Sequence, residues 1–112
     1  MTFSKIEEFD NNLQELAHIA KVFSHPARLA ILKYLAEQKT CISGDISNHL
    51  PLSRTTVSQH LQELKKAGLI QGTIDGLKVC YCIDCKNLAN VQSLFNNFFS
   101  EVITETNYNC KS

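Results

Sequence analysis

A chain of 112 residues with 11 basic and 11 acidic side chains makes one small domain, residues 1–112, with a single core and no net charge. That balance argues against nonspecific coating of nucleic acid, and no apolar run approaches the ~20 residues needed to span a bilayer. The N-terminus MTFSKIEEFD is acidic and polar and does not read as a signal peptide, so a cytoplasmic protein with no membrane partner is expected. In a reducing compartment the five cysteines, Cys41, Cys80, Cys82, Cys85 and Cys110, are thiols, metal ligands or redox sensors before they are a disulfide framework, and an odd count agrees. The charge is unevenly placed. Residues 1–20 set Lys5 against Glu7, Glu8, Asp10 and Glu15, whereas residues 21–40 set Lys21, Arg28, Lys33 and Lys39 against Glu37.

The first helix is expected from about Ser4 to Phe23. Ser4 and Glu7 have capping-box spacing, and Ile6, Phe9, Leu13, Leu16, Ala17 and Ala20 make one apolar stripe. Pro26 suits the first turn of a second helix that carries Leu29, Leu32 and Leu35 inward. Residues Lys39 to Ile42 lean towards a short strand. Ser43 then caps a short helix, GDISNHL, that ends at Pro51. Only Pro51 and Leu52 stand between it and the next cap, Ser53, which is helix-turn-helix spacing.

The helix after Ser53 is the most informative stretch. Val57, Leu61 and Leu64 recur at helical spacing, and Gly68 stands where a left-handed residue ends a helix. Its outward residues, Arg54, Thr55, Thr56, Ser58, Gln59 and His60, are mostly short hydrogen-bonding side chains, not the Glu/Lys mix of an ordinary solvated helix. Such groups read base edges and grip phosphates. A β-hairpin follows, with Asp75-Gly76 as a type I′ turn pair between Leu69–Ile74 and Leu77–Asp84. Strand alternation points Val79, Tyr81 and Ile83 to the core and Lys78, Cys80, Cys82 and Asp84 to the other face. The last helix, about Asn87 to Thr106, carries Leu88, Val91, Phe95, Phe98 and Val102 in a stripe widened by Leu94 and Phe99. Its own domain accounts for about half of that surface, and a dimer formed with the first helix accounts for the rest.

No Gly-rich phosphate loop, nucleophile elbow or paired catalytic acid is present, so neither an enzyme nor a small-molecule substrate is expected. Cys82 and Cys85 have the spacing of a redox pair, but at a strand end and not opening a helix.

Helix, helix, strand, helix, turn, reading helix, hairpin, final helix: this order resembles the winged helix-turn-helix repressors of the ArsR/SmtB family. The likeness rests on Lys21-Val-Phe-Ser-His-Pro-Ala-Arg28 with Ile31-Leu32, on Val57-Ser-Gln-His-Leu61 with Leu64, on Lys66-Ala-Gly-Leu69, and on Gly76 with Val79 and Tyr81. The resemblance implies a mainly α fold with a β-hairpin wing, α-α-β-α-α-β-β-α, dimerising through its first and last helices. It implies a homodimer that represses from a palindromic, double-stranded DNA operator until an inducer loosens it, with no cofactor required for DNA binding. Carried over by position, Ser53, Arg54, Thr55, Thr56, Ser58, Gln59 and His60 contact DNA from the reading helix, and Lys78 does so from the wing.

Family members sense metals, arsenite or sulfur species at differing sites. The site on the last helix needs histidines, and here that helix has none, with Glu101 and Glu105 as its acids. A Cys-Val-Cys arsenite site is also absent, because Ile42-Ser43-Gly44 occupy those positions. In winged-helix topology the short strand pairs with the second wing strand, which brings Cys41 to the face of Cys80 and Cys82. Two positions along a strand are ~6.6 Å apart, convenient for thiolates sharing one soft ion and awkward for a disulfide. Cys41, Cys80 and Cys82 are therefore the expected ligands of a thiophilic inducer, trivalent arsenic or another soft metal ion, with Cys85 as a further candidate. Two alternatives stay open: a thiol-based redox or persulfide sensor of the same fold, and a winged-helix protein-interaction module with no effector. His18 and His49 read as surface residues, and His25 as a helix-start residue.

Overall fold

A computed structural model describes residues 3–38, 42–43, 46–75 and 78–106. Where the sequence predicts one long first helix, a 3-10 helix over Phe3–Glu8 is followed by α1 over Asn11–Val22. The break has a local cause. The Asp10 carboxylate accepts the Asn12 N–H at 2.8 Å, so Asp10 starts a fresh helix instead of continuing the old one. The inward face shifts with it. Leu16, Ile19 and Val22 are buried, while Ile6, Phe9, Leu13, Ala17 and Ala20 of the expected stripe are exposed. The Ser4 side chain lies outside the described residues.

The second helix, α2, runs over Pro26–Glu37 with Pro26 in its first turn, as expected. It buries Ile31 and Leu35. Leu29 is 47% exposed, a correction to the expected inward set, because the buried face turns on Ile31 instead. A two-residue strand, β1 at Ile42–Ser43, takes the place assigned to Lys39–Ile42; Lys39, Thr40 and Cys41 lie outside the described residues. Ser43 is thus a strand residue and not a helix cap, and the short helix is a 3-10 turn, Ile46–His49, that sends Ile46 into the core.

The helix α3 spans Arg54–Lys66 between its expected markers. Gly68 adopts φ +79°, its N–H bonds the Lys65 carbonyl at 2.9 Å, and the Leu69 N–H bonds the Leu64 carbonyl at 3.0 Å. This pair of bonds is the Schellman closure, which turns the chain sharply into the hairpin. Strands β2 (Ile70–Asp75) and β3 (Lys78–Ile83) pair antiparallel, and β1 pairs with the other side of β3, giving the order β1-β3-β2. Asp75 pairs with Lys78, so the residues joining the strands are Gly76 and Leu77, one step later than the Asp75-Gly76 pair expected. The turn itself lies outside the described residues, as does the Val79 side chain.

Asp84 leaves the strand and caps α4, which runs over Cys85–Glu105. One apolar cluster holds the domain together: Ile19 and Val22 of α1, Ile31 and Leu35 of α2, Ile46 of the 3-10 turn, the α3 residues Val57, Leu61 and Leu64, then Leu69, Ile70 of β2 and Val91 of α4. Phe23 meets Phe95 edge to face at 6.3 Å and ties α4 to the end of α1. Beyond Phe95 the last helix leaves the core, and Phe99, Val102 and Ile103 are exposed. Among the described residues no helix is long and apolar enough to cross a membrane.

Candidate nucleic-acid interface

The interface is built on α3. Three inward anchors, Val57, Leu61 and Leu64, are each less than a tenth exposed, and they fix the rotation of the helix. The opposite face is thereby presented to solvent, with Arg54, Thr55, Ser58 and Gln59 all exposed. Thr55, Ser58 and Gln59 lie at i, i+3 and i+4, so they share one stripe. They border a groove between α3 and the sheet that Arg54, Ile46 and Tyr81 also line. The groove is lined by hydrogen-bonding side chains of α3 and by an aromatic residue of the sheet.

Two expected contact residues have structural work at the start of the helix. The Thr56 N–H donates to Ser53 Oγ at 3.2 Å, and Ser53 Oγ–H donates to Thr56 Oγ1 at 2.9 Å. The hydroxyl of Ser53 thus satisfies one of the N–H groups left over at a helix start. Ser53→Ala should cost about 1 kcal/mol of folding stability, read as a lower urea midpoint with an unchanged m-value.

His60 has structural work as well. It is half-buried against α2, where Arg28 Nε donates to His60 Nδ1 at 3.1 Å and the His25 ring stands 5.6 Å away. Arg28 also donates through a terminal nitrogen to the Val22 carbonyl at 3.3 Å, so one guanidinium links the end of α1, the start of α2 and the middle of α3. Burial, then the Arg28 charge, then His25 hold the His60 imidazole below the ordinary histidine value. Sequence reading missed this cluster. Arg28 and His60 are 32 positions apart, and nothing local in either segment marks them as partners.

The cysteines separate into two places. Cys80 and Cys82 lie half-buried on β3, two positions apart and so on one side of the strand. Ser43 of β1 and Thr73 of β2 pair with Cys80, Gln71 pairs with Cys82, and Gln71 Nε2 donates to Cys82 Sγ at 3.9 Å. Cys85, just past the strand as expected, is the first residue of α4, exposed beside a groove lined by Phe23, Leu88 and Phe95. Cys41, Cys110 and the Lys78 side chain lie outside the described residues. Among the described residues no group of three or more His, Cys, Asp and Glu side chains is placed to hold a metal ion.

A second missed residue joins these parts. Asn87 in the first turn of α4 donates from its N–H to Asp84 Oδ1 at 3.1 Å and from its side chain to the Gly68 carbonyl at 2.6 Å. The Asp84 N–H in turn donates to the Leu69 carbonyl at 3.0 Å. The end of β3, the start of α4 and the end of α3 therefore form one hydrogen-bonded junction.

A helix-turn-helix whose second helix turns a polar face outward beside a β-hairpin is a winged helix-turn-helix domain, a class that reads double-stranded DNA. A family model described as bacterial regulatory protein, arsR family, matches residues 25–71. The chain is 33% identical over 100 residues to the cadmium resistance transcriptional regulatory protein CadC of Listeria innocua, a match that spans 89% of this chain and 82% of that protein. The solved structure of an ArsR-like transcriptional regulator from Rhodococcus sp. RHA1 superposes with a TM-score of 0.71 at 23% identity, covering 85% of this chain and 89% of that one. A homodimeric winged helix-turn-helix DNA-binding domain from Mycobacterium bovis, solved in solution, gives a TM-score of 0.60 at 24% identity, covering 98% and 97%. At those identities the two structures speak for the fold. The chain belongs to the ArsR family and is a DNA-binding transcription regulator.

Proposed function

We propose that the protein is a homodimeric repressor that holds a palindromic operator with α3 and the wing. It releases the operator when a thiophilic ion, trivalent arsenic or another soft metal ion, binds Cys41, Cys80 and Cys82. The observation that carries the inducer half is the placement of Cys80 and Cys82 on one side of β3, the strand that pairs with β1 through Ser43↔Cys80 and Ile42↔Tyr81. Cys41 directly precedes β1 in sequence. Soft thiolate donors select soft ions, and the CadC relative is named for resistance to one, cadmium. The junction of Asp84, Asn87 and Gly68 supports a path from these thiols to the reading helix, since Asp84 stands two residues beyond Cys82. Dimerisation is supported by the exposed Ile6, Phe9 and Leu13 at the N-terminal end and Phe99, Val102 and Ile103 on α4, apolar surface that a lone domain leaves in water.

The test is a gel-shift titration on the protein's own promoter under reducing conditions, with arsenite, antimonite, cadmium, zinc, copper and a polysulfide added separately. Release by arsenite or another soft ion is expected, and Cys41→Ser, Cys80→Ser, Cys82→Ser together should abolish it while leaving operator affinity within about threefold, as for substitutions off the DNA surface. Unchanged release from the triple variant sinks the three-thiolate reading. Release by polysulfide alone moves the cysteines to sulfur sensing.

A further inference from the structure

We infer that Arg28 is a positioning residue for DNA reading, acting through His60: its hydrogen bond fixes the imidazole as the neutral Nε2–H tautomer and locks the middle of α3 to α2. The chemistry follows from the donor. A guanidinium has five N–H groups and no acceptor, so the Nδ1 atom that meets Arg28 Nε at 3.1 Å must be the unprotonated nitrogen. That leaves Nε2–H as the ring's only hydrogen-bond donor. A side chain on α3 that can donate, and cannot accept, at its distal nitrogen discriminates among groove edges: guanine N7 and O6 and phosphate oxygens suit it, whereas the amino groups of adenine and cytosine do not.

The surroundings hold the ring in that state. From α2 and its cap it faces Arg28 and His25, and along α3 the groove beside it is bordered by Glu63 with Gln59 and Gln62. Protonating Nδ1 would replace the hydrogen bond by two cations in contact. The same guanidinium is held on its other side by the Val22 carbonyl at 3.3 Å, so it is anchored before it meets the imidazole. His60 is favoured neutral, so its stabilising contribution is complete above the ordinary histidine range, near pH ~6.5, and is lost as the pH falls through that range towards its lowered folded value.

The inference rests on α3 entering the operator, so two readouts are needed, one of them independent of DNA. In the first, nitrogen-detected NMR of the unliganded protein should show His60 as the Nε2–H tautomer with a titration midpoint below that of an unperturbed histidine, and Arg28→Gln should move that midpoint up. An Nδ1–H tautomer in the wild-type protein overturns the inference outright, whatever the DNA result. In the second, Arg28→Gln should lower the ratio of operator to nonspecific affinity by about tenfold, the worth of one charge-assisted hydrogen bond. In a His60→Gln background the same change should have little further effect. Equal weakening on operator and nonspecific DNA, with a shallower salt dependence, would make Arg28 a phosphate contact and also overturns it. Should Arg28→Gln fail to fold, Arg28→Lys, which keeps the charge but not the Nε donor, takes its place in both arms. Absence of any operator preference in the wild-type protein, with the tautomer as expected, would fault the DNA reading and not the Arg28–His60 bond.

Discussion

Gly68→Ala should destabilise the domain by about 2–3 kcal/mol, the sum of forcing an L side chain into a left-handed conformation and disturbing one partly buried hydrogen bond. Gly68 sits at φ +79°, and a Cβ there would lie 2.7 Å from the Asn87 side-chain nitrogen, the atom that donates to the Gly68 carbonyl. The two costs can be separated. Asn87→Ala alone should cost about 1 kcal/mol by leaving that carbonyl without its partner. In the double variant the steric part vanishes and the backbone part stays, so the two changes together should cost less than their sum. Urea unfolding at one fixed protein concentration measures all four corners of the cycle. Strict additivity would mean that the α3–α4 junction is not the contact it is described to be. In a domain of this size the single Gly68 change should lower the melting temperature by roughly 10–20 °C.

The largest functional effect is expected on the exposed stripe of α3. Thr55→Ala, Ser58→Ala and Gln59→Ala combined should reduce the preference for operator over nonspecific DNA by about a hundredfold or more, since each base-edge contact contributes about 1–3 kcal/mol. All three side chains are exposed, so stability should change by no more than about 0.5 kcal/mol per position. Competition binding at a fixed salt concentration gives the ratio, and thermal unfolding gives the control. An intact ratio in a folded triple variant would remove α3 from operator recognition.

The parts of this fold that could be read from sequence are those where cause and effect lie within a turn or two of each other. Ser53 caps α3, Gly68 closes it, and Val57, Leu61 and Leu64 point inward, each from a local rule of helix geometry. The hairpin was equally legible, because Val79, Tyr81 and Ile83 alternate along its second strand and turn residues precede it. The misreadings have physical reasons of the same scale. Apolar periodicity runs unbroken through Phe9 and Leu13, and it hid the competing offer of the Asp10 carboxylate to the Asn12 N–H. Asp75-Gly76 satisfied the turn rule, yet strand register is decided by the whole ladder, and the ladder keeps Asp75 paired with Lys78. Leu29 looked inward by its spacing with Leu32 and Leu35, but the rotation of α2 is set by what Ile31 and Leu35 bury against. Long-range partners left no local mark. Arg28 with His60, and Asn87 with Gly68, are tertiary contacts between segments that each look ordinary alone.

The strand bearing Cys80 and Cys82, β3, is the central one of the three, between β1 and β2. Its backbone is paired on both sides at Cys80 and Tyr81, so that stretch resists fraying by itself to accommodate a guest. On the reading proposed above, an ion drawn to those thiols would strain three strands together and move them as a plate. Amide hydrogen exchange would register that as a change in the protection of Gln71 and Tyr81 across the whole sheet, and not as one loosened segment beside the ion.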